Sequence, residues 1–217
     1  MTLLCRLRLR AIRFTEDSRG AMPIEGLMAF TFLVWWYMAS FQFFDALRQK
    51  NVNLKAAYTV ADLMSRETGP DPTDPTKVAI DDEYIKGLNR VFDYLTFSPR
   101  PTWIRVSSIY WDAVQEKYRV EWSYATGGHP AQSDLTLQAS KNRIPNMSIG
   151  DSAIVMETNM AYVPIFDVGL AARWYDTMIV TRPRFAACIP WDHYACGSNA
   201  GGPPNPDVIT LDPDYSD

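Results

Sequence analysis

"LMAFTFLVWWYMASFQFFDALRQKNVNLKAAYTVADLMSRET", residues Leu27 to Thr68, contains neither glycine nor proline until "GPDPTDP" at 69–75 ends it. Such a stretch predicts one helix of about 42 residues, about 63 Å long at 1.5 Å per residue. Its two halves differ in kind. From Leu27 to Phe44 there is no charge and the apolar residues fall on every side, so this half extends about 27 Å, close to the thickness of bilayer hydrocarbon. Beyond Asp45 the apolar residues fall at Val52, Ala56, Ala57, Val60, Leu63 and Met64, with Lys50, Asn53, Lys55, Asp62 and Arg66 between them. That is one stripe at helical spacing. The inner half is therefore expected to cross a membrane, and the outer half to leave it and lay its stripe against a folded head. A buried core helix is the alternative, but it would show a stripe in the inner half too. A discarded secretory signal has a shorter apolar core and an A-x-A site, which "WYMASFQFFDAL" lacks.

Working outward, "DDEYIKGLNRVFDYL" (81–95) places Ile85, Leu88, Val91, Phe92 and Leu95 on one face behind an acidic first turn, a short amphipathic helix. Strand-like runs rich in Val, Ile, Tyr and Trp follow at 102–111, 118–125, 153–166 and 177–185. Only "DAVQEK" separates the first two, which favours an antiparallel hairpin. For "LTLQASKNRI" helix and strand both remain open. The fold class that emerges is α+β: a long N-terminal helix, half transmembrane and half amphipathic, packed on a small and mainly antiparallel sheet. Four regions are expected: a basic arm at 1–20, the long helix within 21–68, the α+β head at 69–196, and a mobile acidic tail at 197–217 rich in Pro, Gly and Asp.

The composition of the 217 residues, 47% apolar and 21% charged, is that of a folded protein. Five arginines against Glu16 and Asp17 give residues 1–20 a balance of +3, so the chain's −4 leaves −7 for the remainder. An acidic bulk without a basic stripe argues against nucleic acid as partner. By the positive-inside rule the arm faces the cytoplasm and the head the far side, although Arg48, Lys50 and Lys55 weaken the bias. Cys5 falls in the arm, whereas Cys188 and Cys196 lie in the exported part, with seven residues between them in "CIPWDHYAC". A Cys188–Cys196 disulfide is expected there; free thiols, or a metal loop using His193, are the alternatives.

Nothing points to an enzyme. His129 and His193 belong to no metal spacing, GxSxG and Walker motifs are absent, and no cofactor or metal is expected. The glycines of "ATGGHPAQ" read as a turn, and Asp207, Asp212 and Asp214 match no calcium loop.

Glu25 is the residue that composition leaves unexplained, a carboxylate two positions before the uncharged stretch. A charge there is costly unless something pairs with it. In "GAMPIEGLMAF" Glu25 stands five residues after Gly20. If a membrane peptidase cut after Gly20, the new ammonium of Ala21 would lie near the membrane surface. In a bundle of such helices the Glu25 carboxylate of one subunit meets the ammonium of its neighbour, which also sets axial register. Pro23 suits a first helical turn.

This arrangement resembles the type IV pilin class and, more narrowly, the TadE/TadG-like proteins of the tight adherence (Tad) pilus system. The resemblance rests on "RFTEDSRGAMPIEGLMAF", "IPNMSIGDSAIVMETNMAYVPIF" and "IVTRPRFAACIPW", together about a quarter of the chain. It implies a pilin-like fold, Gly20 before the scissile bond, Ala21 as mature N-terminus and Glu25 as assembly carboxylate. It implies a minor pilin or pseudopilin in the bacterial inner membrane with a periplasmic head, possessing no catalysis of its own and able to enter an extracellular pilus. The implied partners are the Tad inner-membrane platform, the Flp major pilin, other TadE/TadF/TadG-like proteins, prepilin peptidase and the lipid bilayer. Two alternatives stand beside it: a membrane-anchored, adhesin-like binding module using aromatics near Trp191 and Tyr194, and a permanently uncleaved periplasmic scaffold, since TadG-like members are retained rather than cleaved.

Overall fold

The computed structural model describes residues 21–68, 80–166 and 168–191. The long helix, α1, runs over Ala21–Ser65, followed by α2 (Asp82–Thr96), β1 (Trp103–Asp112), β2 (Lys117–Ala125), α3 (Asp134–Ala139), a 3-10 turn at Lys141–Arg143, β3 (Ser152–Tyr162) and β4 (Arg173–Thr181). All four strands are antiparallel neighbours in the order β2-β1-β3-β4. The class is α+β, with a long N-terminal helix on a four-stranded antiparallel sheet. The chain divides into two compact units: the helix as far as Asp45 together with Pro164–Leu170, and Ala46–Val163 with the residues from Ala171 onward.

In the second unit the outer half of α1 buries Asn53, Ala56, Ala57, Val60, Ala61 and Met64, successive positions of one helical face. The five apolar ones join Ile85, Leu88 and Phe92 of α2 and Ile104, Val106, Trp122, Tyr124, Ile154, Met156, Met160 and Ile179 of the sheet in one core. The expected stripe is thus present but turned slightly: Leu63 is 40% exposed, and the polar Asn53 lies inside. Three alanines on the packed face keep the helix close to the sheet. Asn53 Nδ2 donates to Thr177 Oγ1 at 3.0 Å, which ties the helix to β4.

α2 begins where Asp81 accepts from the backbone N–H of Tyr84 at 2.8 Å, an N-cap with Asp82 and Glu83 in the first turn. It ends at Phe97, whose φ of 49° sends the chain away while its N–H still bonds Asp93 O. The "LTLQASKNRI" ambiguity resolves as helix. Ser133 and Thr136 form a reciprocal capping box that starts α3, and the 3-10 turn finishes it.

The turn between β1 and β2 occupies 113–116, so the expected hairpin is present. Its register shifts at Ser108/Ile109, where Glu121 is the extra residue. The bulge turns β2 over. Trp122 and Tyr124 face α1, whereas Val120 and Tyr118, although in step with them along the chain, face the other way. There they meet Ile109, Leu137, Ile144, Ala153 and Val155 in a second, smaller core. Two strand limits differ from the sequence reading. β3 stops at Tyr162 rather than 166 because Pro164 cannot extend the ladder. β4 lies at 173–181 rather than 177–185, for Pro183 sits beyond its end and "RWYD" supplies its beginning.

Residues 182–191 strap the sheet and helix of this unit together. Arg184 N–H donates to Ser65 O at 2.8 Å, and its guanidinium pairs with Asp62, which also holds Arg66. Ser152 Oγ donates to Ala187 O, and Trp122 Nε1 to Ile189 O at 2.8 Å. Cys188 within this strap is disulfide-bonded. Cys196, its expected partner, lies outside the described residues, as do His193, Tyr194 and the tail.

Candidate functional site: the inner half of the long helix

Within the first unit, α1 carries Pro23, Ile24, Glu25 and Gly26 in its opening turns, all exposed. Gly20 lies outside the described residues, and Ala21 is the first residue of the described helix. Glu25 thus stands exposed on regular helix, four residues beyond Ala21. A Cβ added at Gly26 would meet nothing within 4 Å. Among the described residues, therefore, no packing contact demands this glycine.

The helix over Pro23–Ser65 is long and apolar enough to cross a membrane, and only 11% of its most apolar window is buried. Large side chains stand out all round it, among them Phe32, Leu33, Trp35, Trp36, Tyr37 and Phe44, each between 51% and 67% exposed. The core helix of a water-soluble protein would bury most of this surface. The hydroxyl side chains here turn inward. Thr31 Oγ1 donates to Leu27 O at 2.8 Å and Ser40 Oγ to Trp36 O at 2.9 Å, so neither presents an unmet donor to hydrocarbon. The aromatics form two groups: Phe32 lies 6.1 Å from Trp35 and 6.5 Å from Trp36, and Tyr37 meets Phe41 edge-on at 4.7 Å. Tryptophan and tyrosine ordinarily favour the two edges of a bilayer. Here Trp35, Trp36 and Tyr37 occupy the middle of the uncharged stretch.

Gln42 was not singled out by any pattern in the sequence. It is 1% exposed, and its Oε1 accepts from the backbone N–H of Phe166 at 3.0 Å, fastening 164–170 to the helix. A lone amide in an uncharged run was the available signal. What it fastens was hidden, because its partner lies 124 residues away.

In the second unit, Trp191, one of the aromatics of the adhesin-like alternative, is intermediate in exposure, and Tyr194 lies outside the described residues. Trp191 is partly buried against the main core, stacked on Tyr124 with ring centroids 5.5 Å apart and tilted against Trp122 at 5.1 Å. His129 stacks on Trp103 at 4.3 Å, and Arg105, whose guanidinium lies 5.8 Å from the Trp103 ring centroid, also donates to Pro130 O and pairs with Glu157. Partial burial first, and Arg105 second, hold the His129 imidazole below its usual value. Among the described residues no group of three or more His, Cys, Asp or Glu is placed to hold a metal.

No family model, curated protein or solved structure matches this chain. Within the first unit the geometry defines a helix segment with an apolar, aromatic surface and one carboxylate, Glu25, in its first described turns.

Proposed function

We propose that this chain is a minor pilin or pseudopilin-like component of a bacterial Tad pilus machine, a TadE/TadG-like protein. It is anchored in the inner membrane with its head in the periplasm, and it acts by lateral packing of α1 and by contacts of the head. The observation that carries this reading is the placement of Glu25. A single exposed carboxylate stands in the first turns of a 45-residue helix, two residues before an uncharged stretch whose bulky side chains are mostly exposed among the described residues. Neighbouring helices would cover the outward faces of Trp35, Trp36 and Tyr37 at mid-span and bring a cation to Glu25. The Ala21 ammonium of an adjacent subunit, freed by prepilin peptidase, is that cation. The platform proteins, the Flp pilin and other TadE/TadF/TadG-like chains are the proposed neighbours, and the protein itself performs no catalysis.

The test is the N-terminal mass of the protein recovered from membranes of a host with prepilin peptidase and of a strain lacking it. A chain beginning at Ala21 only in the first host supports the pilin-like mechanism. A chain that retains residues 1–20 in both hosts removes the freed ammonium, and the protein is then an uncleaved scaffold whose Glu25 pairs with another protein.

A further inference from the structure

We infer that Pro164–Leu170, the segment joining β3 to β4, is a second membrane contact, lying in the boundary between headgroups and acyl chains beside the outer end of the inner helix half. The inference rests on the reading of α1 as a membrane span, not on the pilus assignment. Connecting segments normally run through water and are polar. "PIFDVGL" holds a single charged residue, Asp167, yet Ile165 is 72% and Phe166 40% exposed. The segment is not loose on the helix, since Phe166 N–H is held by Gln42 Oε1 at 3.0 Å and Leu170 is only 8% exposed.

The position of Gln42 names the occupant. It stands two residues before Phe44, the last of the uncharged run, so the segment is fixed within about 3 Å, along the axis, of the point where hydrocarbon gives way to headgroups. Phe41, Phe43 and Phe44 at this level are 53%, 53% and 67% exposed, and the loop side chains widen that apolar band. Asp45, Arg48 and Lys50 follow in the chain, the charges expected where a helix meets headgroups. A lipid leaflet accepts apolar side chains next to a polar backbone at this depth, which water does not.

The test uses the full chain with Cys5→Ser, carrying Ile165→Cys labelled with an environment-sensitive fluorophore and reconstituted in phosphatidylcholine/phosphatidylglycerol vesicles. Phe166→Cys serves as a second label site, and Leu33→Cys in mid-span reports insertion. The loop label is expected to shift to the blue and to lose about half its emission or more to lipids bearing a nitroxide near the carbonyl end of the acyl chain, as a group held at that boundary must. The loss should not depend on protein density. If Leu33→Cys is quenched and both loop labels are not, the loop inference fails while the span stands. A blue shift that appears only at high protein density, without nitroxide quenching, means that a second copy covers the loop and also overturns it. If Leu33→Cys is unquenched as well, the span reading fails and the inference with it.

Discussion

At the scale of single residues, Glu25 and His129 show how differently a charge is read from sequence and from structure. Glu25 stood out in the sequence because a carboxylate lies two residues before eighteen uncharged ones, whether it pairs with a neighbour or faces headgroup water. Glu25→Ala is expected to insert into membranes as the parent does but to leave cells without pili. Glu25→Asp, shorter by one methylene, should assemble poorly; normal piliation of Glu25→Ala, scored by electron microscopy, would sink the proposed pairing. His129 gave no sequence signal, since its stacking on Trp103 and the nearby Arg105 depend on two strands and a turn meeting. Its folded-state value is lowered below the ordinary 6.5, so the folded protein binds this proton less readily than the unfolded chain. Stability from this group is complete above pH about 6.5 and declines as pH falls from there toward the lowered value. Melting temperature followed across that window should drop more for the parent than for His129→Gln. Gln42 and Asn53 stayed unread for the same reason: the partners of both lie more than a hundred residues away.

Elements were legible where a period ran long. α1 and α2 declared themselves through their stripes and stops, and the β1–β2 hairpin through its short connection. The strand ends were less so, because the apolar character of "PIF" at 164–166 continues past the point where Pro164 ends the ladder. The bulge at Glu121 could not be seen at all, for "YRVEWSYA" alternates without interruption while its side chains change faces. The packed face of α1 makes its own prediction. Ala57 is 0% exposed against the sheet, so Ala57→Leu should cost about 1 to 3 kcal/mol through overpacking. Chemical denaturation of the protein in detergent measures this, and an unchanged midpoint would mean that the helix does not press on the sheet there. Leu54→Ala, on an exposed position of the same helix, should leave the midpoint nearly unaltered.

For the whole molecule, the sequence conveyed the class and order of parts, since a 45-residue helix that changes from uniformly apolar to striped admits few architectures. It did not convey that 164–170 belongs with the inner helix half, because that grouping depends on one side-chain amide meeting one backbone N–H. The turned strand β2 carries a further consequence. Val120 and Trp122, two residues apart, are each anchored in a different core, so neither core can melt without pulling the strand out of the other. Heat should therefore dissolve the helix-facing and the α3-facing sides of the sheet in one cooperative step, with amides of Val120 and Trp122 exchanging at the same global opening rate. Two separate calorimetric transitions in the second unit would show that the strand is a hinge. A single one would show that one inserted residue has made two layers of packing into one folding unit.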